Sequence, residues 1–306
     1  MSISDVYKLQ GKMKTTAGNE YQRLVLDGVT ITVFATQDTV EHDSFTDQYD
    51  ADAQNPQVTN QAEFLTALNS ATDGETIYLA AGEFGTIEMI HYFKNTSVKN
   101  IKLVGMEGTS IGLWFGKDCK PVNGWTFQNI SFTGDKGLVI DCVNNDVTVE
   151  NCMFTGTLLE SAGTGAYASD LKIKNCTFKD TVDKEMPTVY IGENNGVSIT
   201  DCTFTNVGYN AIQIGKMHGN VSIENNTIDD TYDRAMRFTA AAANEAAVVT
   251  IKGNTVMNGA DDAGEVLKAN NKNYEITFEE NTWNGKTDTE MTEKTESGHY
   301  IVKLPG

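Results

Sequence analysis

From residue 125 onward the chain repeats one short pattern. Residues 125–132 read WTFQNISF, 147–154 VTVENCMF, 171–178 LKIKNCTF, 197–204 VSITDCTF, 221–228 VSIENNTI, 249–256 VTIKGNTV and 276–283 ITFEENTW. Each is apolar-x-apolar-x-(Asn, Asp, Gly or Glu)-x-x-apolar. The last apolar position advances by 22, 24, 26, 24, 28 and 27 residues, and a weaker copy occupies 101–111. Alternation with period two predicts a strand. A second short strand is predicted in each interval, at 138–140, 166–168, 188–191, 211–214, 235–238 and 266–268. Two or three short strands per repeat make one coil of a solenoid, whose inward face is buried only by stacking on the next coil. The Leu-x-x-Leu-x-Leu spacing of leucine-rich repeats is missing, as are helices between the strands. The predicted fold is all-β: a right-handed parallel β-helix of about seven coils.

Aligned coils produce columns. One reads Ile130, Cys152, Cys176, Cys202, Asn226, Asn254, Asn281. In a parallel in-register stack such neighbours lie about 4.8 Å apart, so the Asn run predicts a side-chain amide ladder and the Cys run small buried side chains. Residues 60–71, NQAEFLTALNSA, predict an N-terminal capping helix, with Asn60 and Glu63 as a capping box. The strand at 75–84 follows it, and residues 299–304 predict a last strand over the other end. Residues 1–55 read as a short N-terminal β segment with an acidic linker, and 56–306 as the β-helix.

The coil pattern, together with DGETIYLAAGEF at 73–84, resembles the pectin-lyase-like right-handed parallel β-helix superfamily over roughly residues 57–285. That fold hosts lyases, hydrolases, adhesins and phage tailspikes, so the resemblance implies architecture more than activity. MKTTAGNEY at 13–21, LDGVTITVFATQDT at 26–39 and VEHDSFTDQYDAD at 40–52 resemble the closing strands of the camelysin/TasA-type surface domain of Gram-positive gut bacteria. This second resemblance implies export to the cell surface or matrix, with the signal peptide and earlier strands upstream, and makes the N-terminal β segment a candidate for self-assembly.

Formal charge is −19, from 23 basic and 42 acidic residues. Nucleic acid and anionic membranes are therefore poor partners. No run is long and apolar enough for a transmembrane helix. The five cysteines and four histidines show no zinc spacing. Cys119 and Cys142 stand about one coil apart, which leaves a disulfide between them open.

Aligning the second strands gives an outward column of Val139, Tyr167, Tyr190, Gln213, Arg237 and Lys268. Aromatic faces stack on sugars and cations meet carboxylates. With Tyr209 these residues make a candidate glycan groove, set against the plainer reading that they only cover the sheet. For a polysaccharide lyase, Arg234, Arg237 and Lys216 are the candidate catalytic cations, Arg234 or Lys216 as base, with Tyr209 or His218 as acid. The alternative for Arg234 and Arg237 is a salt-bridge cluster with the nearby aspartates. Asp229, Asp230 and Asp233 are a candidate Ca²⁺ site, against the commoner reading of solvated acidic turns; no other cofactor is expected. The carboxylate set and Gly-His-Gly motif of this fold's glycoside hydrolases are missing. The expected function is a secreted or cell-surface module that binds a carbohydrate or host-surface ligand or builds matrix. The alternative is a lyase acting on uronate-containing glycans.

Overall fold

The structure, a computed structural model, describes residues 57–93, 98–161, 168–181, 185–241, 247–262, 264–270, 274–294 and 300–303. The N-terminal β segment expected over 1–55 lies outside them.

The chain is a right-handed β-solenoid whose strands pair in parallel with the coils before and after. Ile77, Leu103, Phe127, Val149, Ile173, Ile199, Ile223, Ile251 and Phe278 lie in register, each on the next. That column defines eight turns. The weak copy near residue 101 is thus a full coil, and one more precedes it.

The fifth motif position explains why the coil turns where it does. Asn129, Asn151, Asn175, Asp201, Asn225, Gly253 and Glu280 all have positive φ, between 51° and 64°. Asn, Asp and Gly enter this left-handed region at little cost, which explains their dominance. Glu280 pays the steric penalty at the last turn. Beyond the turn the inward column is Phe132, Phe154, Phe178 and Phe204. Their rings stack at centroid separations of 4.8, 4.6 and 4.7 Å, within 19° of parallel. The spacing of the strands imposes this geometry.

The amide ladder forms. Asn254 Oδ1 accepts from Asn226 N and Nδ2, both at 2.9 Å, and Asn281 Oδ1 accepts the same pair from Asn254. Asn281 donates to the Asp288 carboxylate, so the ladder ends on an anion. At its other end Cys202 N donates to Asn226 Oδ1. Cys152, Cys176 and Cys202 are buried in the same column, and burial holds the Cys152 thiol well above the ordinary range. Cys119 and Cys142 are free thiols, so the disulfide left open above does not form.

Helix α1, Gln61–Ser70, buries Phe64 and Leu68 and lies against the strands Gln57–Val58, Thr76–Leu79 and Gly82–Glu88. Asn60 accepts from Glu63 N, but the Glu63 carboxylate reaches back to Thr59 N and Oγ1. The box therefore closes one residue earlier than the spacing predicts. At the C-terminal side, Tyr300–Lys303 pairs antiparallel with Glu265–Ala269 and with Thr292–Lys294.

Candidate functional site

Tyr190, Gln213, Arg237 and Lys268 do lie on four successive coils in register. Upstream the column differs from expectation. Tyr167 lies outside the described residues, and the partner of both Val139 and Tyr190 is Glu160. The strand that pairs with those of Val139 and Tyr190 is Leu159–Ser161. The turn after Phe154 is shorter than those after Phe178 and Phe204, and alternation alone did not locate it. One coil earlier Trp114 extends the column onto Val139. The outward face thus reads Trp114, Val139, Glu160, Tyr190, Gln213, Arg237, Lys268, and all but Val139 are half-buried.

The two arginines, three residues apart, have opposite surroundings. Arg234 is only 12% exposed. Its Nη1 bonds Asp233 at 2.9 Å, its Nη2 bonds Asp261 and, at 2.7 Å, Glu265, and its Nε donates to Glu265 at 3.2 Å. Every nitrogen is committed, and none is left to take a proton from a substrate. Among the candidates, Arg234 therefore fits the salt-bridge reading. Arg237 makes no ion pair among the described residues. Its Nη1 donates to Tyr209 Oη at 2.7 Å, and its buried Nε has no acceptor. Asn210 ties Arg234 to Gln213, the coil neighbour of Arg237: its Oδ1 accepts from Arg234 N, and its Nδ2 donates to Gln213 Oε1 at 2.9 Å. Lys268 is neutralised by Glu265 at 3.0 Å.

Lys216 does not join Arg237. It lies in register with Glu193, and both Lys216 Nζ and His218 Nε2 meet Glu193 Oε1 at 2.8 Å. Hydrogen bonds from Lys216 and His218 hold the Glu193 carboxyl below the usual range. Asp229, Asp230 and Asp233 do not form one ligand set. Asp233 belongs to Arg234, and Asp229 accepts from Asn258 at 3.1 Å. Among the described residues no three His, Cys, Asp or Glu side chains converge to hold a metal.

At the other end of the face, Trp114 Nε1 donates to Asp141 at 3.3 Å, and Lys136 Nζ sits 5.0 Å from the Trp114 ring. Glu160 makes no hydrogen bond or ion pair among the described residues. Burial, then repulsion from Asp141, raises its carboxyl above the ordinary range. Neither Trp114 nor Glu160 was anticipated, although the alternation in TSIGLWF (109–115) already marks Trp114 as outward.

A separate open cleft of about 590 Å³ lies on a different sheet. Its floor is Ser198, Ser222 and Thr250, in register, and its rim includes Asp170, Asn195, Asn220 and Glu224. Gly219 keeps this turn closed, because a Cβ there would stand 2.9 Å from Asn195 C and Gly196 N.

Among solved structures, two show low similarity to the chain. The plasmid-mediated fluoroquinolone resistance protein QnrB1 is 10% identical, with a TM-score of 0.37 over 68% of this chain and 91% of its own. PfbA, a surface adhesin of Streptococcus pneumoniae, is 13% identical, with a TM-score of 0.41 over 73% of each chain. No curated protein matches the sequence. No helix among the described residues is long and apolar enough to cross a membrane. Residues 111–283 match the family described as the right handed beta helix region, and the chain belongs to that family.

Proposed function

We propose that this protein is a secreted or cell-surface binding module that holds an acidic glycan on its Tyr190–Arg237 face. One observation carries the reading. In a chain with 42 acidic and 23 basic residues, Arg237 stands half-buried with no carboxylate partner among the described residues, while Arg234 beside it gathers three. An unpaired guanidinium at a partly desolvated surface is costly unless an anion completes it. Tyr209 orients it, and Tyr190 and Gln213 supply a ring and an amide on the adjoining coils. The likeness of residues 13–52 to the closing strands of camelysin/TasA-type domains supports export and surface attachment, with this chain's N-terminal β segment serving self-assembly.

The test is isothermal titration with oligogalacturonate and other uronate oligomers. Arg237→Met should weaken binding at least tenfold with the circular dichroism spectrum unchanged. Equal affinity of the variant would sink the reading.

The lyase alternative keeps one supporting contact, the Tyr209 hydroxyl on Arg237. It predicts ultraviolet-absorbing unsaturated products from uronate polymers, with or without Ca²⁺. Their appearance, and their loss in Tyr209→Phe, would replace binding with cleavage.

A further inference from the structure

The Tyr190 face carries two opposite charges, three coils apart, that are unpaired among the described residues. Glu160, Tyr190, Gln213 and Arg237 occupy four successive coils in register. Three rungs of about 4.8 Å place Glu160 and Arg237 about 14 Å apart along the stack. Neither charge is neutralised among the described residues. Of the other charges near the face, Lys268 is paired with Glu265 and Arg234 with three carboxylates, while Lys136, over the Trp114 ring, keeps its charge and attracts Glu160 without pairing with it. Asp141 adds negative potential beside Glu160. The middle two rungs are neutral, an aromatic ring and an amide whose Oε1 is already held by Asn210.

Protein surfaces that leave a lone anion and a lone cation on one half-buried strip complement a ligand of the opposite polarity. A purely acidic chain would meet Arg237 favourably and then run onto Glu160 and Asp141. A chain with an ammonium group at that end meets both. We infer that the ligand is a mixed-charge glycan, with a free amine seated at Glu160 and a carboxylate at Arg237, a few sugar units apart. This rests on the acidic-glycan reading of the face and adds the polarity and direction of the bound chain. Tyr190, between the two charges, favours a sugar ring over a peptide backbone at the centre of the strip.

Calorimetry with three probes tests it: an oligogalacturonate, a fully de-N-acetylated chitosan oligomer, and a de-N-acetylated heparosan oligosaccharide carrying both amines and uronates. The wild-type protein should bind the mixed-charge oligomer at least tenfold tighter than either single-charge one. Glu160→Gln should abolish that preference and tighten oligogalacturonate binding. Arg237→Met should weaken both uronate-containing probes. Equal wild-type affinity for oligogalacturonate and the mixed oligomer, or a preference that survives Glu160→Gln, overturns the inference and leaves the acidic-glycan reading standing. Failure of all three probes removes both. Tighter binding of a mixed-charge extended peptide of the same span overturns the glycan as the ligand class.

Discussion

Arg234 and Arg237 show how little a residue's type says about its task. Arg234 lies inside a cage of Asp233, Asp261 and Glu265, each no more than 15% exposed. Removing its charge leaves three carboxylates half-buried and mutually repelling, at a cost of about 3 kcal/mol. Arg234→Met should therefore lower the chemical-denaturation midpoint at neutral pH while uronate binding at Arg237 persists. The deficit should depend on pH in a defined sense. Glu265 is desolvated, yet bonds from Arg234 and then Lys268 hold its carboxyl below the ordinary range. Its contribution is present above the unfolded carboxylate pKa and is lost as pH falls through the lowered folded value. The gap between Arg234→Met and wild type should thus close on acidification. A gap that widens toward acid would show that the cage is not what stabilises this corner.

At the scale of the element, the amide ladder is the feature with the sharpest energetic signature. Asn254 accepts two bonds from Asn226 and donates to Ile223 O, Lys252 O and Asn281 Oδ1. Asn254→Ala strands the buried Asn226 N–H, at about 1–3 kcal/mol, while Asn226 Nδ2 keeps Ile199 O and Asn281 Oδ1 keeps Asn254 N. Asn254→Asp keeps the shape but loses the donors and buries a charge, so it should destabilise more, and the order Asn > Ala > Asp in unfolding midpoint is the check. This column was legible in the sequence because it repeats at the same offset in every motif. So was the left-handed turn, since Asn, Asp and Gly recur at its position. The second strand was legible where its residues are mostly apolar, whatever the interval: Leu138, Val189, Ile212 and Met236 follow Phe132, Phe178, Phe204 and Ile228 by 6, 11, 8 and 8 residues. Leu159 follows Phe154 by 5, but Leu159–Ser161 carries Glu160 at its centre, and a charge there hides the strand. Ion pairing was illegible for a different reason. Glu265 reaches Arg234 across a gap of 31 residues, and nothing in the local pattern separates that caged arginine from Arg237.

A stack whose coils touch only their neighbours should tolerate the loss of one, if register survives. Residues 199–222 make a clean unit of 24, because Ile199 pairs with Ile223 and Ser198 with Ser222. Joining Ser198 to Ile223 preserves each interior column. Cys176 N would donate to Asn226 Oδ1 as Cys202 N does now. Phe178 would meet Ile228, which already packs on Phe204. Tyr190 would lie directly on Arg237, and Glu193, having lost Lys216 and His218, would be exposed but unpaired. The shortened protein should unfold in one cooperative transition. Its denaturant slope should fall by about one-eighth, in proportion to the surface buried in one of eight turns. Its binding face would lose Tyr209 and Gln213, so uronate affinity should drop even though Arg237 remains. A deletion variant with no cooperative transition would mean that the coils are not independent units. Undiminished uronate affinity in a folded one would mean that Tyr209 and Gln213 do not position the ligand.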